Sequence, residues 1–114
     1  MDLANIQRRI REFRDARDWM QFHNPKNLAI SIVLEASELL EHFQWKSPDE
    51  SEAHAKAARD DIADEIADVS VYLIELADNL GIDLEQAILK KLDKNAAKYP
   101  AEKSKGNAKK YTEL

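Results

Sequence analysis

The chain has 114 residues, 44% of them hydrophobic and 34% charged, the balance of a single soluble globular domain. It has no cysteine, which excludes disulfides, thiolate metal sites and a cysteine nucleophile and permits a reducing compartment. Its only glycines, Gly81 and Gly106, cannot build a glycine-rich phosphate loop of the Walker or Rossmann type.

No apolar run approaches the roughly 20 residues that span a bilayer. The opening MDLANIQRRI has no apolar leader segment. A cytoplasmic location with no membrane partner is therefore expected. The net charge of -5 is unevenly spread: residues 1–34 sum to +2, residues 35–85 to -12 and residues 86–114 to +5. An acidic centre does not suit duplex nucleic acid, which calls for a net basic face. It suits a divalent cation together with a small polyanion.

Leu3, Ile6, Ile10, Phe13 and Met20 recur at helical spacing and predict a first amphipathic helix over 3–20. Asn24 as N-cap with Pro25 behind it opens a second, running to about Trp45. Its stripe of Leu28, Ile32, Ala36, Leu39 and Phe43 forms a core face, yet Ile30, Leu34 and Ser37 on the other side are uncharged too. A helix buried on two sides is central or lies at a subunit interface.

Ser47-Pro48-Asp49-Glu50 reads as a capping box opening a third helical segment. From 53 to 80 there is no proline or glycine, and Ile62, Ile66, Val69, Leu73, Leu76 and Leu80 predict an inward stripe ended by Gly81. Asp83 with Gln86 opens a fourth helix, with Leu84, Ile88, Leu92 and Tyr99 inward and Pro100 as its stop. The expected class is all-α, a bundle of four main helices over residues 1–100 with a lysine-rich C-terminal arm over 101–114. A helix continuous over 53–80 would be about 42 Å long against a radius of gyration of about 13 Å for a chain of this size. That overhang, with the second face of helix two, predicts a homodimer or homotetramer.

The chemistry is concentrated in carboxylates. Glu35 and Glu38 are surface neighbours at the edge of the stripe on helix two, and Asp61, Glu65, Asp68 and Tyr72 advance by 4, 3 and 4 along helix three. Both lines flank the core rather than oppose it, so two consecutive antiparallel helices bring them face to face. Two like charges about 5 Å apart repel by roughly 3 kcal/mol at an effective dielectric near 20, so a cation is expected among them. All-oxygen ligands suit Mg²⁺ or Mn²⁺ better than zinc, and Mg²⁺ favours phosphate substrates. A charged helix pair carrying salt bridges to Lys46, Lys56 and Arg59 would show the same spacing.

Lys91, Asn95 and Lys98 share a face of helix four and can reach phosphate oxygens, or simply be solvated. Trp19, Trp45, Phe22 and Tyr72 can fill core corners or stack on a base. His23, beside the proline break, reads as a loop residue satisfying backbone groups.

Glu35-Ala-Ser-Glu38 with Glu65-Ile-Ala-Asp68 resembles the split acidic motif of the MazG-like all-α nucleoside triphosphate pyrophosphohydrolases. Residues 19–27 (WMQFHNPKN), Phe43-Gln-Trp-Lys46, 91–95 (KLDKN), Tyr99-Pro100 and 110–114 (KYTEL) look like its dCTP pyrophosphatase branch. The resemblance implies hydrolysis of a deoxynucleoside triphosphate to monophosphate and pyrophosphate, with Mg²⁺ held by Glu35, Glu38, Glu65 and Asp68. It also implies Trp19, Trp45, Tyr72 and Asn95 around the nucleoside, and Lys91 and Lys98 toward the phosphates.

Two positions depart from the family. Leu34 stands where its full first motif has a further glutamate, and Ile10 where animal members of the branch have a histidine near the base. Glu35 and Glu38 are the expected catalytic carboxylates, Glu38 contacting the attacking water, with Glu41 and Asp61 open as bases. The alternative reading is a non-catalytic helical oligomeric module that binds a nucleotide or divalent cation, or an acidic groove that docks a basic segment.

Overall fold

The computed structural model describes all of residues 1–114. It contains six α-helices and no strand: α1 (Leu3–Ala16), α2 (Pro25–Glu41), α3 (Pro48–Ala57), α4 (Arg59–Asn79), α5 (Leu84–Lys98) and α6 (Ala101–Ser104), with 3-10 turns at Met20–Phe22 and Tyr111–Glu113. The chain forms two units, Met1–Gly81 and Ile82–Leu114. No helix is long and apolar enough to cross a membrane.

The helix starts follow from their capping residues. Asp2, Asn24 and Asp83 each accept the backbone N–H three residues on, and Ser47 with Glu50 completes the reciprocal capping box. Gly81 follows α4 with φ 68, the left-handed conformation that glycine adopts without steric cost.

In the first unit α1, α2 and α3 all pack on α4. Glu35 and Glu38 meet Glu65, and His23, just before α2, meets Glu75 further along α4. Early residues therefore pair with late ones, so α2 and α4 run antiparallel. Leu28 on α2 and Ile62, Ile74 and Ala77 on α4 are the buried apolar residues, and Arg11 on α1 grips Asp78 on α4 through two hydrogen bonds of 2.6 Å.

Several expectations are corrected. There are six α-helices rather than four, and the second ends at Glu41 rather than near Trp45. The first ends at Ala16 instead of running to Met20, because Asp18 takes a positive φ of 54 and the Trp19 N–H turns back to the Arg14 carbonyl at 3.1 Å. Aspartate tolerates this conformation better than most residues, and the reversal turns Trp19 out of the helix.

The expected 53–80 helix breaks at Ala58, whose φ of -107 and ψ of 28 separate α3 from α4. No proline or glycine is needed for the break, since the Ala58 N–H still reaches the His54 carbonyl at 2.8 Å and the Ile62 N–H reaches Ala58 at 3.0 Å. His54 Nε2 lies 2.9 Å from His42 Nδ1, and its ring meets Phe43 edge-on, tying α3 to the end of α2. With α3 turned away, α4 is about 32 Å long, and the overhang disappears.

The expected stripe on α4 is only partly inward. Ile62 is buried and Val69 and Leu76 are half-buried, but Ile66, Leu73 and Leu80 are exposed. On α2 the second apolar face is uncovered as well: Ile30, Val33, Leu34 and Leu40 are exposed. In the second unit Ile88 and Leu92, expected inward, are also exposed. There the chain after α6 returns to α5, with Tyr111 edge-on to Tyr99 and the Lys98 Nζ 4.9 Å from the centroid of the Tyr111 ring.

Leu28 is 1% exposed, the most deeply buried large side chain of the unit. Leu28→Ala is expected to lower the unfolding free energy by about 3 kcal/mol, as measured by urea denaturation.

Candidate active site

Two features of the first unit adjoin each other, a carboxylate cluster and a cavity. α2 contributes Glu35 and Glu38 one turn apart, and α4 contributes Glu65 opposite them. One carboxylate oxygen from each lies within 4.8 Å of the others. Glu35 Oε2 and Glu65 Oε2 are buried and have no hydrogen-bond partner. A buried carboxylate oxygen without a partner is costly, and acidic neighbours make it more so.

Burial first, then the neighbouring Glu38 carboxyl and the charges of Asp68 and Glu65, hold the Glu35 carboxyl above the usual carboxylate range. Burial first, then the Glu38 charge, raises Glu65 in the same way. Asp68 is not part of the close triplet, but its charge raises both. Glu41 and Asp61, open alternatives as bases, lie outside it.

A hard divalent cation fits this arrangement. The donors are all oxygen, one from each residue lies within 4.8 Å of the others, and the two partnerless atoms are buried acceptors. Ordinary salt bridges do not relieve the triplet: the ion pairs of the first unit involve Arg8, Arg11, Arg14 and His23, none of them with Glu35, Glu38 or Glu65.

The cavity, of about 540 Å³, lies between α1 and α4. Its apolar walls are Ile6, Ile10, Phe13, Trp19, Val71 and Tyr72, and its polar lining includes Asp68, His23, Arg14 and Glu75. The volume and the aromatic walls suit a small planar ligand. Burial, with the charges of Glu35 and Asp68 after it, raises the Tyr72 phenol, which keeps its proton. Asp68 both lines the cavity and acts electrostatically on the triplet.

Trp19 and Tyr72, which the resemblance puts around the nucleoside, line the cavity together with Asp68. Trp45 does not line it: it follows α2 and is 87% exposed. Lys91, Asn95 and Lys98 lie on α5 in the second unit, both lysines exposed and Asn95 half-buried. The sequence reading passed over Glu75 and Arg14 and set His23 aside as a loop residue. Glu75 had a signal, since it continues the line of Glu65, Asp68 and Tyr72 by a further three residues.

The model of the MazG-like family matches residues 30–114, which contain the whole carboxylate triplet. This chain belongs to the MazG-like family. It is 44% identical over 114 residues to dCTP pyrophosphatase 1 of Bos taurus, covering 98% of this chain and 68% of that protein. With dCTP pyrophosphatase 1 of Homo sapiens the identity is 42%, over 98% of this chain and 67% of the relative. The crystal structure of a pyrophosphatase from Archaeoglobus fulgidus superposes with a TM-score of 0.84 at 42% identity, covering 88% of this chain and 94% of that one.

The raised carboxylates set a pH dependence. Glu35 and Glu65 bind protons more tightly folded than unfolded, so their stabilising contribution is present below the ordinary value of 4.5 and is lost as pH rises through their folded values. In metal-free protein, Glu65→Gln is expected to melt at a higher temperature than the parent at pH 7, with the difference closing toward pH 4. Thermal melts across that range check this.

Proposed function

We propose that the chain hydrolyses deoxynucleoside triphosphates, dCTP-like ones preferentially, between the α- and β-phosphates in a Mg²⁺-dependent reaction that clears nucleotides from the pool. The coarser activity is plain: the chain is a nucleoside triphosphate pyrophosphohydrolase, a MazG-like protein whose similarity to enzymes of that kind extends over nearly its whole length. The observation that carries the finer reading is the position of Asp68, which lines the aromatic cavity and acts on the carboxylate triplet.

In this reading the base enters between Trp19 and Tyr72, and the triphosphate extends past Asp68 toward Glu35, Glu38 and Glu65. These four carboxylates hold the ion, Mg²⁺ or Mn²⁺, which when bound neutralises triphosphate charge and polarises its oxygens. Glu38 is the exposed member of the triplet, and its solvent access supports it as the group that orients the attacking water, with Glu35 beside it. Water oxygen bonds to the α-phosphorus as the bond to the bridging oxygen breaks, leaving monophosphate and pyrophosphate. For the partly exposed Asn95 and the exposed Trp45, Lys91 and Lys98 a part in substrate binding rests on the resemblance alone. In the same reading residues 1–100 are the catalytic domain and 101–114 a lysine-bearing arm.

Ile30, Val33 and Leu34 on α2 and Ile66 and Leu73 on α4 are large apolar side chains that the single chain leaves exposed. They support a homodimer or homotetramer. Leu34→Glu is expected to lower the molar mass measured by light scattering.

The decisive experiment is product analysis of dNTPs and NTPs with and without Mg²⁺. Parent protein should release monophosphate and pyrophosphate, dCTP best, and folded Glu35→Gln and Asp68→Asn should lose at least about a hundredfold in rate. A folded parent with Mg²⁺ and no pyrophosphate from any nucleotide would sink the reading.

A further inference from the structure

The lining of the cavity is more polar than the packing of α1 on α4 requires. Glu75 is 2% exposed on α4, and its carboxylate is met from three directions. His23 Nδ1 lies 2.7 Å from Oε2 and 3.0 Å from Oε1, Asn79 Nδ2 donates to Oε2 at 3.3 Å, and a guanidinium nitrogen of Arg14 stands 3.8 Å away. Arg14 is itself buried and is held by Asp15 at 2.8 Å and by the Asn79 amide oxygen at 3.1 Å. A buried charged network of this kind is a poor way to gain stability, since apolar residues of similar volume do as well or better. It fixes the position of whatever it holds.

What it holds is the His23 ring. A carboxylate only accepts, so the hydrogen between Glu75 and His23 sits on Nδ1 and is donated by it. In its neutral form, a ring with its hydrogen on Nδ1 offers a bare lone pair at Nε2. Nε2 makes no hydrogen bond within the protein and is not among its buried partnerless atoms, so it has open space before it. His23 lines the cavity, with the rings of Trp19 and Tyr72 centred 6.2 Å and 6.3 Å from its own.

We propose that His23 is the base-reading residue of this cavity, its Nε2 accepting a hydrogen bond from a donor on the edge of the base, and that Glu75, Arg14 and Asn79 are positioning residues that hold it in the acceptor tautomer. This rests on the reading that the cavity receives the base of the nucleotide. A base with an exocyclic amino group at that edge, as in cytosine, gives His23 its partner. One with a carbonyl there, as in uracil, sets lone pair against lone pair and leaves a buried acceptor unpaired. Besides Asp68, the Tyr72 phenol, the Trp19 indole N–H and the solvent-exposed Asn5 and Arg9, the remaining walls are apolar, and His23 is the base-facing group held by the buried Glu75.

Two measurements on the full chain test this. Nitrogen-15 correlation spectra at neutral pH should show the His23 hydrogen on Nδ1, with Nε2 shifting when dCMP is added and not when dUMP is added. With Mg²⁺, the ratio of kcat/KM for dCTP over dUTP should fall about tenfold in His23→Phe, which keeps a planar ring but loses the acceptor. Glu75→Gln should move the ratio in the same direction, mainly through KM, and redistribute the tautomers.

The proposal is overturned by a hydrogen on Nε2 in the parent, by no response of His23 to either nucleotide, or by a folded His23→Phe with the parental ratio. A Glu75→Gln that loses only thermal stability removes the positioning role. If the parent turns over no nucleotide, the proposed reaction fails by itself, and the response of His23 to dCMP against dUMP still decides the base contact.

Discussion

Glu35, Glu38 and Glu65 repel one another, and they stay close because α2 is packed antiparallel on α4. Burial of Leu28 on α2 and of Ile62 and Ile74 on α4 is favourable enough to bring acidic helix edges together, and the exposed tip of Glu38 is the only one of the three that water reaches freely. The result is stored electrostatic free energy at one place, visible in the upward displacement of Glu35 and Glu65 and in their two partnerless buried oxygens. A cation held among them would release that free energy, so the repulsion that costs the fold stability would also favour an ion.

α4 carries this constraint into the cavity. Glu65, Asp68, Tyr72, Glu75 and Asn79 succeed one another at helical steps, and along that line the surroundings change from crowded acid, to an aromatic wall, to a buried polar network. One rigid element thereby sets the distance between the carboxylate cluster and the cavity. α1 closes the other side, and the left-handed Asp18 matters because it ends α1 early enough to bring Trp19 and then His23 to the cavity.

Much of this was legible in the residues. Periodicity gave the all-α class, the capping residues gave the starts of α2, α3 and α5, and the flanking position of Glu35, Glu38, Glu65 and Asp68 pointed to facing carboxylates. The break at Ala58 was not legible, because no local signal marks it: the turn is held by a contact from His54 to His42 on another element. Nor was the buried contact of His23, whose partner Glu75 is 52 residues away.

The sequence by itself determined which helices form and which faces carry acid, because capping and the helical period are local properties of the chain. Only the tertiary structure decided which apolar residues on α4 are covered, which three of the acidic residues crowd together, and which polar groups end up buried with one free acceptor. Those outcomes depend on how α1, α2 and α3 lie on α4, and burial, pairing and charge repulsion come from neighbours distant in the chain.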